Sequence, residues 1–158
     1  MNRRDIVIGV IVLVALALMV YFWQSRTPEE LEIPQPSSVE EQIEQSFNVD
    51  IPEDVEKIEL TDTAGMDASA IATRDVEEGY SLTILADLPD VQEGEFYQAW
   101  IENEEKTIPV GRLTVAKGGY ILEFESSIDY SEYDSVMVTL EETPDQTPEE
   151  TILQGDFE

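Results

Sequence analysis

The sequence has no cysteine and no histidine, and only eight lysines and arginines stand against 36 aspartates and glutamates. Each shortage excludes something. Without cysteine there are no disulfides, no thiolate nucleophile and no lipid-modified cysteine. Without histidine as well, zinc clusters and Ser-His or Cys-His catalytic pairs are ruled out. No G-x-S-x-G elbow and no phosphate-cradling glycine loop occurs, and Gly118-Gly119 reads as a hairpin only. The formal charge of −28 repels phosphate backbones and anionic headgroups, so nucleic acid is not an expected partner. Carboxylate pairs are too dense along the chain for any two to stand out as general acid and base. We expect no enzymatic activity and no cofactor.

What is present begins with one long apolar run. Residues 6–23 read IVIGVIVLVALALMVYFW, without charge or proline. Eighteen helical residues span about 27 Å, close to the hydrocarbon thickness of a bilayer. Tyr21, Phe22 and Trp23 suit an interfacial aromatic belt, and Arg3 and Arg4 precede the run. These features predict a transmembrane helix with residues 1–5 as a cytoplasmic tail and the remainder outside, placing the chain in the plasma membrane as a single-pass protein. The competing reading is a signal peptide cleaved after Ala15-Leu16-Ala17, but the apolar run continues straight through that site.

Residues 24–54 are acidic and interrupted by Pro28, Pro34, Pro36 and Pro52, a composition that predicts a stiff linker. Within it, Ser38 and Glu41 fit a capping box. Val39, Ile43 and Phe47 recur every four residues, which predicts a short helix with a local packing face. From Val55 the period changes to two. Tyr80, Leu82, Ile84, Ala86 and Leu88 fall on one strand face, with Ser81, Thr83 and Asp87 opposite. Residues 96–101 are apolar on both faces, as a central strand requires. Further strands are expected at 55–60, 68–74, 108–115, 120–124, 135–141 and 151–153. Turn signals at Glu78-Gly79, Pro89-Asp90, Glu93-Gly94 and Gly118-Gly119 separate several of them. Seven or eight short strands over residues 55–158 predict an antiparallel, Ig-like β-sandwich, with a barrel as the second choice.

Two constellations invite a binding reading. Asp62, Asp67, Asp87, Asp90 and Glu93 could supply oxygen ligands to calcium, although no D-x-D-x-D-G pattern frames them. Tyr97 and Trp100 could line a groove, although two aromatics in the most apolar strand more often serve a core.

The order of motifs from about residue 68 to 157 resembles the C-terminal domain of anti-sigma-K factors, a bacterial extracytoplasmic domain family. A strand ending in Leu88-Pro89 and a Glu93-Gly94 turn lead into Tyr97-Gln98-Ala99-Trp100, similar to the family's Tyr-Gln-x-Trp strand. Pro109-Val110-Gly111 is similar to its Pro-x-Gly segment, and Val138-Thr139-Leu140-Glu141 to its Val-Thr-x-Glu strand. Thr147-Pro148 and Ile152-Leu153-Gln154-Gly155 fit its closing stretch. The resemblance implies a related outer domain in which Tyr97, Gln98, Trp100, Pro109, Gly111, Val138, Thr139, Glu141 and Gly155 maintain the fold. Two positions depart from the family pattern: Ala99 replaces a larger apolar residue, and Glu142 stands where proline is frequent. The five-residue tail also lacks the sigma-binding segment such proteins carry on the cytoplasmic side. The expected function is therefore a membrane-anchored sensory or binding module that contacts another membrane or envelope protein. A structural acidic domain, binding cations or a basic surface component, is the alternative.

Overall fold

The computed structural model describes residue 19 and residues 38–77 and 79–157. The predicted span at 6–23 therefore lies, except for Met19, outside the described residues, as do residues 24–37 of the linker. Among the described residues no helix is long and apolar enough to cross a membrane.

Helix α1 (Val39–Phe47) begins where the capping signal placed it, with the Ser38 hydroxyl accepting the Glu41 N–H at 3.1 Å. Glu40 and Glu41 in the first turn complement the helix dipole. The helix ends at Asn48, which takes the left-handed conformation with φ 56°, a role that suits asparagine. Its apolar stripe does not float in a linker. Ile43 and Phe47 are buried against Ile71 and Leu85 of the sheet, a burial that contributes about 1.5–3 kcal/mol per side chain. The helix thus belongs to the same compact unit as the strands.

Nine antiparallel strands follow among the described residues: β1 (Glu56–Asp62), β2 (Ser69–Asp75), β3 (Tyr80–Asp87), β4 (Phe96–Glu102), β5 (Thr107–Arg112), β6 (Thr114–Ala116), β7 (Gly119–Ser126), β8 (Ser135–Glu141) and β9 (Glu150–Asp156). They form one sheet in the order β5-β4-β8-β9-β1-β2-β3-β7-β6. The predicted Ig-like sandwich of seven or eight strands is corrected by this topology. Strand β1 belongs to both halves, since Glu56–Leu60 pair with β2 while Thr61 and Asp62 pair with β9. The two edge strands β5 and β6 are consecutive in the chain, separated only by Leu113, whose N–H donates to the Tyr97 carbonyl at 2.9 Å. The stretch read as one strand at 108–115 is thus a bent crossover: its first half pairs with β4 and its second with β7. The sheet curls until it nearly closes into a barrel. Periodicity could not distinguish the two architectures, because both alternate inward and outward residues in the same way.

The core fills the inside of this curl. The expected face of β3, Tyr80, Leu82, Ile84, Ala86 and the following Leu88, is buried there with Tyr97, Ala99 and Ile101 of β4. Val136 and Val138 of β8 and Ile152 of β9 complete the inner layer. Curvature is helped by two register shifts flanking the Ala99–Val138 pair. On one side, between Ala99 and Trp100, Val110 of β5 is left without a partner; on the other, between Val138 and Thr139, Ile152 of β9 is. Bulges bend the bulged strand and increase its twist.

Candidate functional site

The motif residues of the central strand divide between its two faces. Tyr97 points into the core, donates its hydroxyl to the Pro89 carbonyl at 3.1 Å and meets the Tyr120 ring edge-on at 5.1 Å. Burial pushes its phenol up to about 12. Trp100, three residues on, must point the opposite way, because strand side chains alternate with period two. The proposed shared aromatic groove of Tyr97 and Trp100 is therefore excluded by strand geometry. Trp100 lies on the outer side with Gln98, yet it is fully buried.

There Trp100 enters a polar chain. Its indole N–H donates to the Thr139 hydroxyl at 2.7 Å, and the hydroxyl donates onward to Glu141 Oε1. The same oxygen accepts the Glu149 backbone N–H at 3.0 Å. Glu141 is 1% exposed, so every donor aimed at its carboxylate offsets lost hydration. Glu149 closes the loop in return: its two carboxylate oxygens accept the backbone N–H groups of Glu142 at 2.7 Å and Thr143 at 3.0 Å. The hydrogen bond from Glu142 leads the causes that lower the Glu149 pKa below the ordinary glutamate range. Gln98, Trp100, Thr139 and Glu141 are thus brought together as the anchor of the 142–149 loop.

The remaining motif positions are steric. Pro109 sits opposite Trp100 beside the bulge. A Cβ at Gly111 would approach the Leu122 side chain to 2.9 Å, and one at Gly155 would approach Leu60 to 2.9 Å. Val138 is fully buried in the core.

The calcium candidates are not gathered. Asp62 spends its oxygens on its own loop, accepting N–H groups from Ala64 at 3.0 Å, Gly65 at 2.8 Å and Ala68 at 3.3 Å. Desolvation pulls its pKa upward, but these donors outweigh it and hold the carboxyl below its usual range. Asp87 faces the Gln42 amide at 3.5 Å. Among the described residues no three acidic groups are placed to hold a metal ion.

Two features escaped the sequence reading. Arg74 is buried on the line between both halves of the barrel, bonded to Glu56 at 2.8 and 2.9 Å and stacked 4.2 Å over Phe157. Its register partner is Glu56 itself. The second is the outer face of β2, β3 and β7, which carries an open cavity of about 350 Å³ bordered by the segment that follows helix α1. Neither has a local signal, since both are assembled from residues distant in sequence. The alternating threonines and acids of these strands could have suggested only that one face was polar.

A family model described as "Anti-sigma-K factor rskA, C-terminal" matches residues 8–152. No curated protein and no solved structure matches the chain.

Proposed function

Because the chain belongs to the anti-sigma-K factor C-terminal family, we propose that it is a membrane-anchored extracytoplasmic module that senses or binds a component of the cell envelope. The observation that carries this reading is the extent of the family match. It spans residues 8–152, and so takes in most of the apolar run as well as the β domain. The charge pattern supports the orientation, with Arg3 and Arg4 before the run and nearly all the acid after it. The domain acts by contact rather than chemistry, a reading supported by its buried polar cluster around Glu141, which ties down a loop. Its partner is another membrane or envelope protein.

Protease added to intact spheroplasts tests the topology. Removal of the β domain, with the span left in the membrane fraction, is the expected result. A domain protected until the membrane is permeabilised would overturn the reading, as would a mature chain beginning at Leu18.

A further inference from the structure

Helix α1 covers only part of the outer face of the β2–β3–β7 layer. The face is organised in cross-strand rows that run from covered to open. The first row, Ile71–Leu85–Ile121, is apolar; Ile71 and Leu85 are buried against the helix and Ile121 is half-buried at its margin. The next is Thr73–Thr83–Glu123, and the third is Asp75–Ser81–Glu125. The segment after the helix closes the apolar end, where Ile51 and Val55 join Ile71 and Leu85 around the cavity of about 350 Å³. At the other end this cavity shares Asp75 and Ser81 with a second, of about 530 Å³, that reaches Glu125 and Ser127. The two adjoin at Asp75 and Ser81, and together they offer a groove that is apolar at one end, hydroxyl-lined in the middle and acidic at the other.

Charge decides what fits it. Asp50, Asp75 and Glu123 line the first cavity and Glu125 the second, all four of them exposed. The one basic residue among the described lining residues is Arg74, which is buried and bonded to Glu56. Lys57 starts the middle row opposite Thr73, but its ammonium is held by Glu40 of the helix. The groove therefore presents acids with no free base among the described lining residues. Three rows along a strand extend about 13 Å, the reach of four to six extended residues. Threonine and serine hydroxyls between the ends offer both donors and acceptors to a peptide backbone.

We propose that this groove is the binding surface of the module, and that it takes a short extended segment of a partner protein, with an apolar residue seated at the Ile51–Leu85 end and basic residues along the Glu123 and Asp75–Glu125 rows. This deepens the reading of the chain as a binding module and rests on it.

The test is fluorescence anisotropy of the full chain, purified in nonionic detergent, with a labelled peptide of sequence Leu-Leu-Gly-Lys-Gly-Lys-Lys as the probe. Saturable binding is expected, and none with the peptide carrying glutamate in place of lysine. The double variant D75N/E123Q removes charge from exposed positions, and the asparagine keeps the acceptor that Asp75 offers to the Glu77 N–H. It should weaken binding by at least about fivefold. Thr83→Trp, which fills the middle of the groove, should abolish it. The double variant E102Q/D156N alters a separate acidic cavity of about 480 Å³ and should leave the affinity within about twofold. Equal weakening by both double variants would overturn the proposal by assigning the binding to the overall negative field. Competition by spermine as strong as by the unlabelled peptide would overturn it too, reducing the groove to a site for small cations. No binding at all would remove the groove assignment while leaving the membrane-anchored reading to the spheroplast experiment, which does not depend on it.

Discussion

The Trp100 indole N–H donates to Thr139 diagonally across the β4–β8 pair: Trp100 lies opposite Met137 and Thr139 opposite Gln98, and the bond spans the offset at 2.7 Å. Diagonal neighbours in an antiparallel pair are within reach of large side chains. The bond joins two family motifs that are 39 residues apart in the chain.

Replacing Trp100 by alanine should destabilise the domain by about 3–5 kcal/mol, through lost transfer energy and the cavity left behind. Trp100→Phe retains most of the volume and loses the indole donor, so a smaller loss is expected. Thermal and urea unfolding measure both. A change within about 0.5 kcal/mol for the alanine variant, as at exposed positions, would contradict the burial seen for Trp100.

Glu141 offers a sharper comparison. Glu141→Gln can keep an oxygen where Oε1 accepts from Thr139 and Glu149, and should cost less than about 1 kcal/mol. Glu141→Leu strands the Glu149 N–H, while the Thr139 hydroxyl can turn to the Gln98 carbonyl at 3.4 Å. Its cost should be about 1–3 kcal/mol, with faster amide exchange at Glu149. Equal costs for the two variants would show that the carboxylate oxygen does not hold the loop.

Gly118 and Gly65 both have positive φ, at 100° and 70°, but only one has close neighbours. A Cβ at Gly118 would stand 2.3 Å from the Ser46 carbonyl oxygen at the end of helix α1, whereas one at Gly65 meets nothing within 4 Å. Gly118→Ala should therefore cost at least about 2 kcal/mol more than Gly65→Ala, since backbone strain alone is about 1–3 kcal/mol at either site. Matching unfolding curves for the two variants would mean that the hairpin does not sit under the helix.

The Glu149 pKa is lowered by the N–H groups of Glu142 and Thr143, so the folded state favours its ionised form. Its contribution is complete above the unfolded-state pKa and is lost as pH falls through the lowered folded value. The amide resonances of Glu142 and Thr143 should follow a titration with its midpoint below the ordinary glutamate range, and Glu149→Gln should abolish that transition. A midpoint at or above the ordinary range would show that the loop is not closed by this carboxylate.

With 36 acidic and eight basic residues, self-repulsion opposes the folded state at low salt. Raising ionic strength from 0.01 to 0.1 M shortens the screening length from about 30 to about 10 Å. The melting temperature should rise over that range. A fall would mean that attractive ion pairs such as Arg74–Glu56 outweigh the net charge.

By itself the sequence determined the local elements. The Ser38 cap with its four-residue stripe specified α1, and the alternation from Tyr80 to Leu88 identified the buried face of β3, because both signals are written in neighbouring residues. The motif order was sufficient to identify the family. Tertiary structure decided how the strands join. The crossover at Leu113 and the bulges opposite Ala99 and Val138 depend on which strands pair, and a single strand's alternation says which face is buried but not which strand lies beside it. The same holds for the outer face: Thr73, Thr83 and Glu123 form a row only because three strands align them. The parting of Tyr97 and Trp100, by contrast, already follows from the two-residue period of the strand that holds both.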